Sequence, residues 1–525
     1  MQRKITIATR GSDLALWQAR FVQSELQRIG IASELLILKT QGDNIQHLSF
    51  DKLEGKGFFT KEIEEAVLSG AADLAVHSHK DLPTESPEGL AVAAVSYRED
   101  PRELLLIRKE AVDKYSKFHL RKNAVVGTSS ARRKSLLRGF RPDVSITDLR
   151  GNVPTRIEKL RSGQYDAILL AAAGVGRLNL DLSDLHVEEL PAHEFIPAPA
   201  QGVLALQTRE NDHELIAALQ QIHHPDVQAC IAVERRILNL LEGGCHLPLG
   251  AYCEEDDGNF KVWTALADSA DQSPRMICLE SRQPEELPER VLRRLRSIKP
   301  ASVAITRDLR PGDVFSQLLE AAGCTVHGVA LIETRRVQVA KVPEASWVFF
   351  SSKHAVKHFL AQAQLPEGAK IAAVGKGTSD ELRKHNLRAD FIGGGNDTRI
   401  TGKQFAARAG RDRVLFPQAK GSMRTVQQQL PAAQVINLIV YETIERPASE
   451  LPDADVLVIT SPSNAEACFA GRKPRSGQEI VAMGHATQSA LRDMGITRCT
   501  LPATFDDAGL AQAVFAVLSR NETNS

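Results

Sequence analysis

Nine basic residues in the first half of the chain stand where short apolar segments give way to loops. They are Arg10, Lys52, Lys56, Lys80, Arg132, Arg133, Arg150, Arg156 and Arg177. Helix N-termini already favour anions through their free N–H groups and the macrodipole. An arginine fork added at each start makes a bidentate carboxylate or phosphate site. One such site is weak evidence, but several on equivalent loops call for a ligand with many anionic groups along its length. Asp81, beside Lys80 in Ala75-Val76-His77-Ser78-His79-Lys80-Asp81-Leu82-Pro83, is the lone carboxylate in this set. Among bases it stays ionised, fit to steer protons or to stabilise a cationic intermediate. His77 and His79 alternate on a strand with no third ligand in view, so no metal is expected there. Cys245 sits in Gly243-Gly244-Cys245-His246-Leu247-Pro248, where two glycines and a proline set a tight loop that lets backbone approach a ligand.

The elements that position these residues repeat one grammar. A strand ends in a Gly/Ser/Thr/Arg loop, and the loop opens a helix. Ile5–Ala8 leads to Thr9-Arg10-Gly11-Ser12, with Ser12 as N-cap of a helix turning Leu14, Trp17, Phe21 and Leu26 inward. Ala124–Val126 leads to Gly127-Thr128-Ser129-Ser130 and a basic helix over 131–140. Val144–Thr147 leads to Asp148-Leu149-Arg150-Gly151-Asn152, with Pro154 in a first helical turn. Alternation of this kind predicts an α/β fold with largely parallel sheets and ligands beyond the strands' carboxyl ends. A basic helix over 285–297, interrupted early by Pro288, precedes a fresh strand at Ser302–Thr306.

The second half carries an internal repeat. IAAVGKGTSDELR from Ile371 aligns with IVAMGHATQSALR from Ile480, 109 residues on, and the same offset pairs Ser352 with Ser461 and Thr378 with Thr487. Two related α/β lobes are expected, each with a Ser loop and a Gly-x-x-Thr helix start. Gly375-Lys376-Gly377-Thr378 lacks the spacing of a phosphate loop, and the Gly393–Asp397 run reads as a flexible turn.

Composition narrows the class. The 525 residues are 43% hydrophobic and 25% charged, an ordinary globular balance that excludes disorder. Lys+Arg and Asp+Glu each number 65, so no overall field draws the chain to nucleic acid or membrane and local clusters must do the electrostatic work. There is no apolar run of membrane-spanning length. The first residues run straight into a strand, which leaves no room for a signal peptide and, with seven scattered cysteines, points to a reduced, cytoplasmic protein.

IATRGSDLALWQA, GKGFFTKEIE, AVHSHKDLP, VGTSSARRKS, LRGNVPTR, AAAGVGRL, PAPAQGVLA and LEGGCHLPLG, in this order over residues 1–298, resemble hydroxymethylbilane synthase (porphobilinogen deaminase). VAITR, SWVFFSS, AAVGKGT, LIVYETI, VITSPSNA and VAMGHAT over 301–520 resemble uroporphyrinogen-III synthase. The resemblance implies a bifunctional enzyme of tetrapyrrole synthesis. Its first activity polymerises four porphobilinogens with loss of ammonia on a dipyrromethane cofactor held by a thioether to Cys245. The second closes the linear product with inversion of its last ring. It implies Asp81 and Lys80 as the catalytic pair. Cofactor and substrate carboxylates would be held by Arg10, Ser12, Lys52, Lys56, Thr128, Ser129, Ser130, Arg132, Arg133, Arg150, Arg156, Arg177 and Gln201. For the second site it implies Tyr441, Thr378, Thr487, Ser352 and Ser461. No metal is implied. One departure is His79, where the family more often has Met.

The implied fold is three α/β domains in the first half, two like periplasmic binding proteins and a small α+β domain carrying the cysteine, then two Rossmann-like lobes. The implied boundaries are 1–98 with 199–217, 99–198 and 218–298, followed by 301–333 with 452–520 and 334–451. The expected partners are porphobilinogen and hydroxymethylbilane, with no nucleic acid or membrane, and a monomer is expected. An anion-binding protein would share the grammar but has no need of Cys245 or Asp81. A deaminase carrying a non-catalytic C-terminal module is the nearer alternative.

Overall fold

The computed structural model describes residues 3–40, 60–242, 247–394, 398–446 and 452–519. Cys245, Lys52, Lys56 and part of the Gly393–Asp397 turn lie outside them. The described chain is a mixed α/β fold with five sheets, in two compact units. The first holds the described residues of Met1–Pro300, Gly312–Cys324 and Ala511–Ser525; the second holds Ala301–Pro311 and Thr325–Leu510. No helix among the described residues is long and apolar enough to cross a membrane.

Two five-stranded sheets in the first unit share one plan. One runs Ser33–Leu38, Ile5–Arg10, Leu74–Ser78, Leu204–Arg209, Leu90–Val95; the other runs Ser145–Thr147, Val125–Gly127, Ala167–Ala171, Glu103–Arg108, Leu185–Leu190. In each, the first three strands are parallel and the fourth runs against both its neighbours. The expectation of largely parallel sheets is corrected there. Each antiparallel strand is where the chain arrives from the other sheet, outward at Glu103 and back at Leu204. The two crossings, 96–102 and 191–203, therefore run beside the ends of these strands.

An antiparallel meander, Leu249–Asp256, Asn259–Leu266, Arg275–Ser281, completes the unit with the helices Pro225–Leu240 and Leu287–Ser297. A 3-10 turn over Pro284–Glu286 precedes the second helix, so Pro288 sits in its first turn and starts it rather than interrupting it. Ser12 caps the Asp13–Arg28 helix as expected, its hydroxyl accepting from Ala15 N at 3.4 Å. The buried face of that helix is Gln18, Ala19, Val22 and Leu26. Trp17 and Phe21 are only half-buried and stack on each other at 5.7 Å.

The second unit has a parallel four-stranded sheet, Thr325–Gly328, Ser302–Ile305, Val456–Ile459, Glu479–Ala482. Its six-stranded sheet, Ile332–Arg336, Val435–Glu445, Val414–Ala419, Trp347–Phe350, Lys370–Ala373, Phe391–Ile392, is parallel except for the first strand. The internal repeat is visible in the backbone. Ser352 and Ser461 cap their helices at φ/ψ of −160/157° and −161/162°, and Gly375 and Gly484 begin theirs in extended backbone with no side-chain cap.

Candidate functional site

The Leu74–Ser78 strand carries Ala75, Val76 and His77 into the core and stops at Ser78, where a 3-10 turn takes over at His79–Asp81. Leu204 pairs with Ser78, and His79 N donates to Val203 O at 2.9 Å, so the returning crossover fixes the turn from one side. From the other side Arg235, on the Pro225–Leu240 helix, donates to the carbonyls of His79 at 3.2 Å, Leu82 at 3.3 Å and Pro83. Lys80 and Asp81 thus stand on a clamped turn, with Asp81 exposed and Lys80 half-buried. Because the strand ends at Ser78, the expected alternation does not reach His79. Both histidines are buried, at 7% and 4% exposure, and burial holds His77 near pKa 4 and His79 near 3. Nδ1 of His79 is buried without a hydrogen-bond partner.

From Lys80 a polar chain runs inward. Its Nζ donates to Gln201 Oε1 at 3.3 Å, and Gln201 Nε2 donates to Pro101 O at 2.8 Å and to Glu103 Oε1 at 3.3 Å. Glu103 is fully buried at the start of its strand. Arg132 donates to its Oε1 at 2.5 Å and Arg133 to its Oε2 at 2.7 Å. Their other Nη atoms reach the carbonyls of Ile196 and Leu169, each at 3.0 Å. Burial alone would raise the Glu103 pKa, but the Arg133 and Arg132 guanidiniums outweigh it and hold the carboxyl at about 2. Lys80 is lowered, first by burial and then by Arg133 and Arg132, against the pull of Asp81 and Glu103.

Arg156 joins the same field. It donates to Gly151 O at 2.7 Å, and its pKa is lowered by burial, Arg133 and Arg150 while Asp81 opposes the shift. Among the described residues, Lys80, Arg132, Arg133, Arg150 and Arg156 thus lie in one field with the carboxylates of Glu103 and Asp81, and the cluster is cationic. Neither Glu103 nor Arg235 was named from sequence. A glutamate opening an apolar strand (ELLLIR) gives no local sign that two arginines from another helix close on it.

Other expected residues make local contacts where they stand. Ser129 ties two loops, donating to Leu149 O at 3.0 Å and accepting from Leu149 N at 3.1 Å. Ser130 caps the Ala131–Phe140 helix, and Thr128 Oγ1 accepts from Ser130 N at 3.3 Å. Arg10 closes its strand and Arg150 precedes the Val153–Arg161 helix; both are half-buried. Arg177 corrects the reading of a cation at a helix start, since it lies in the last turn of Ala172–Leu178. It is buried, donates to Gly202 O at 2.9 Å and lies 5.4 Å from the Trp17 ring centroid. A second buried pair braces the crossings. Arg98 donates to Glu234 at 2.6 Å and to Gln201 O at 3.1 Å, while Glu234 accepts from the amides of Ala200 at 2.6 Å and Cys253 at 2.7 Å.

In the second unit the structure brings Ser352 and Tyr441 together, their hydroxyls 3.1 Å apart. Tyr441 is buried, at 8% exposure, and stacks on His358 at 5.1 Å; burial raises its pKa while Ser352 opposes the rise. Ser461 accepts from Asn464 N at 3.2 Å, and Thr378 and Thr487 are buried in the first turns of their helices. These three form their own local turns.

Family models match in the order of the motifs. Residues 5–217 match "Porphobilinogen deaminase, dipyromethane cofactor binding domain", 228–297 match "Porphobilinogen deaminase, C-terminal domain", and 313–512 match "Uroporphyrinogen-III synthase HemD". Porphobilinogen deaminase of Sulfurimonas denitrificans is 44% identical over 268 residues, 50% of this chain and 84% of that protein. Its counterpart in Syntrophomonas wolfei is 43% identical over 267 residues, 50% of this chain and 85% of that one. Solved uroporphyrinogen-III synthases of Thermus thermophilus (a mutant, 18% identical, TM-score 0.30) and Helicobacter pylori (16%, 0.32) each align with 41% of this chain and 98% of their own. The chain belongs to the porphobilinogen deaminase family, includes that family's dipyrromethane cofactor binding domain, and continues into a uroporphyrinogen-III synthase domain, making it a bifunctional enzyme of tetrapyrrole biosynthesis.

Proposed function

We propose that the cationic cluster around Lys80 and Asp81 is the site where porphobilinogen units are joined, on a dipyrromethane attached through a thioether to Cys245. The observation that carries this is the gathering of Lys80, Arg132, Arg133 and Arg156 in one field with the buried Glu103 and one exposed aspartate, Asp81. Each pyrrole of the growing chain bears an acetate and a propionate, so the ligand is a polyanion that such a field attracts and holds. Arg10, Ser12, Thr128, Ser129, Ser130, Arg132, Arg133, Arg150, Arg156, Arg177 and Gln201, with Lys52 and Lys56, are the proposed binding groups.

Loss of ammonia from porphobilinogen leaves an electron-poor azafulvene. Asp81 is placed to stabilise its positive charge and to take the pyrrole proton after the new C–C bond forms. Lys80, its pKa lowered by burial, positions a substrate carboxylate beside Asp81. Gln201 holds the lysine, and Glu103 aims both arginines.

For the second unit the proposed site is Tyr441 with Ser352, and Thr378, Thr487 and Ser461 at the other helix starts. Uncapped N-termini at Gly375 and Gly484 offer backbone N–H groups to carboxylates. With few strong acids or bases among these residues, holding the linear tetrapyrrole folded for closure supplies much of the rate. Joining both activities in one chain raises the labile intermediate's concentration at the second site. The domain boundaries given above, two Rossmann-like lobes, a monomer and a cytoplasmic location belong to the same proposal. Purified chain given porphobilinogen alone tests it. The expected product after oxidation is the type III isomer of uroporphyrin, with no type III formed by the Asp81→Ala variant. Type I product from the wild-type chain would refute the second activity.

A further inference from the structure

We propose that His119, His186 and Glu188 form a divalent-metal site on the first unit, separate from the cluster around Lys80 and Asp81. Their ligand atoms all lie within 4.8 Å of one another, with His119 Nδ1 2.7 Å and His186 Nε2 3.5 Å from Glu188 Oε2. Zinc bonds to imidazole nitrogen and carboxylate oxygen run about 2.0–2.2 Å, which sets ligand atoms a little over 3 Å apart. Small side-chain rotations are enough to meet that geometry. His186 Nε2 is buried and makes no hydrogen bond, approaching Glu188 only to 3.5 Å.

The backbone places these groups in two independent ways. His186 and Glu188 are alternate residues of the edge strand Leu185–Leu190, and so share a face. His119 arrives from a turn in which Phe118 and His119 both have positive φ, 59° and 50°. Such backbone is uncommon away from glycine and persists where surrounding packing enforces it. Phe118 is buried against Phe140 and Phe195, at 5.5 and 5.9 Å between ring centroids, and this anchors the turn while His119 reaches the edge strand. Two imidazoles and one carboxylate suit zinc or another borderline divalent ion, leaving a position for water or an outside ligand. A bound ion would tie the 117–119 turn to the edge strand across nearly 70 residues of sequence.

The test uses the full chain, stripped with chelator and titrated with Co2+ and with Zn2+, beside His119→Gln and His186→Gln. The expected result is one equivalent of Co2+ giving weak visible bands without a thiolate charge-transfer band, a rise in Tm with Zn2+, and at least about a tenfold loss of affinity in each variant. Equal affinity in wild type and both variants overturns the site, as does cobalt bound only with a thiolate band. Two variants guard against one failing to fold, and deaminase activity checks that each retains its fold.

Discussion

Replacing Glu103 by Gln tests whether one buried carboxylate holds the arginine pair. Glu103 is fully buried, bonded at 2.5 and 2.7 Å to Arg132 and Arg133, and its pKa falls from 4.5 to about 2. That shift corresponds to about 3 kcal/mol of folding free energy. Glutamine retains the shape but turns an N–H toward a guanidinium and leaves two buried cations unneutralised, a change expected to cost about 3–5 kcal/mol at pH 7. The folded pKa is depressed, so the stabilisation is fully present above the unfolded value near 4.5 and is lost as pH falls toward 2. Wild type and variant must therefore converge between about pH 4.5 and 2. Urea unfolding in a Trp347→Phe background reads the first unit, since the other two tryptophans, Trp17 and Trp263, lie there. The KM for porphobilinogen should rise as the arginines lose their aim. A difference under about 1 kcal/mol at pH 7, or one that does not shrink in acid, would mean that an ionised Glu103 does not hold the arginine pair.

His79→Met should be tolerated, because the imidazole is buried with one nitrogen unpartnered. The unfolded imidazole takes up a proton below pH 6.5 and the folded one only near 3, so this histidine removes about 2 kcal/mol of stability at pH 5. The variant should keep that amount, and an unchanged pH profile of Tm would refute this. Arg235→Ala should loosen the His79–Pro83 turn and lower kcat by tenfold or more with Lys80 and Asp81 intact; an unchanged kcat would mean the turn holds without it. Tyr441→Phe removes the hydroxyl bonded to Ser352 and should lower the type III fraction of product several-fold while porphobilinogen consumption stays constant. An unchanged isomer ratio, read by chromatography, removes Tyr441 from the second site.

Strand–loop–helix order, the Ser12 cap and the internal repeat that pairs Ser352 with Ser461 were legible because they depend on neighbours in sequence. Residues whose role depends on the crossings were not. Glu103 looks like any acid at a strand start until the outward crossing sets it beneath Arg132 and Arg133. Arg177 reads as a cation at a helix start, and only the fold shows it in a last turn, bonded to Gly202 of the return crossing and beside Trp17 of the first helix. The antiparallel fourth strands are of the same kind, since direction in a sheet is set by which lobe the chain has just left. His79 looks polar in sequence and is core in the fold.

The most direct measurement is the intact mass of the purified chain beside its Cys245→Ser variant, each before and after incubation with porphobilinogen. A cofactor tethered at Cys245 predicts a wild-type mass higher by two porphobilinogen-derived pyrroles, and an unmodified variant. A wild-type mass that stays at the bare polypeptide after incubation, or the same addition on Cys245→Ser, would contradict it.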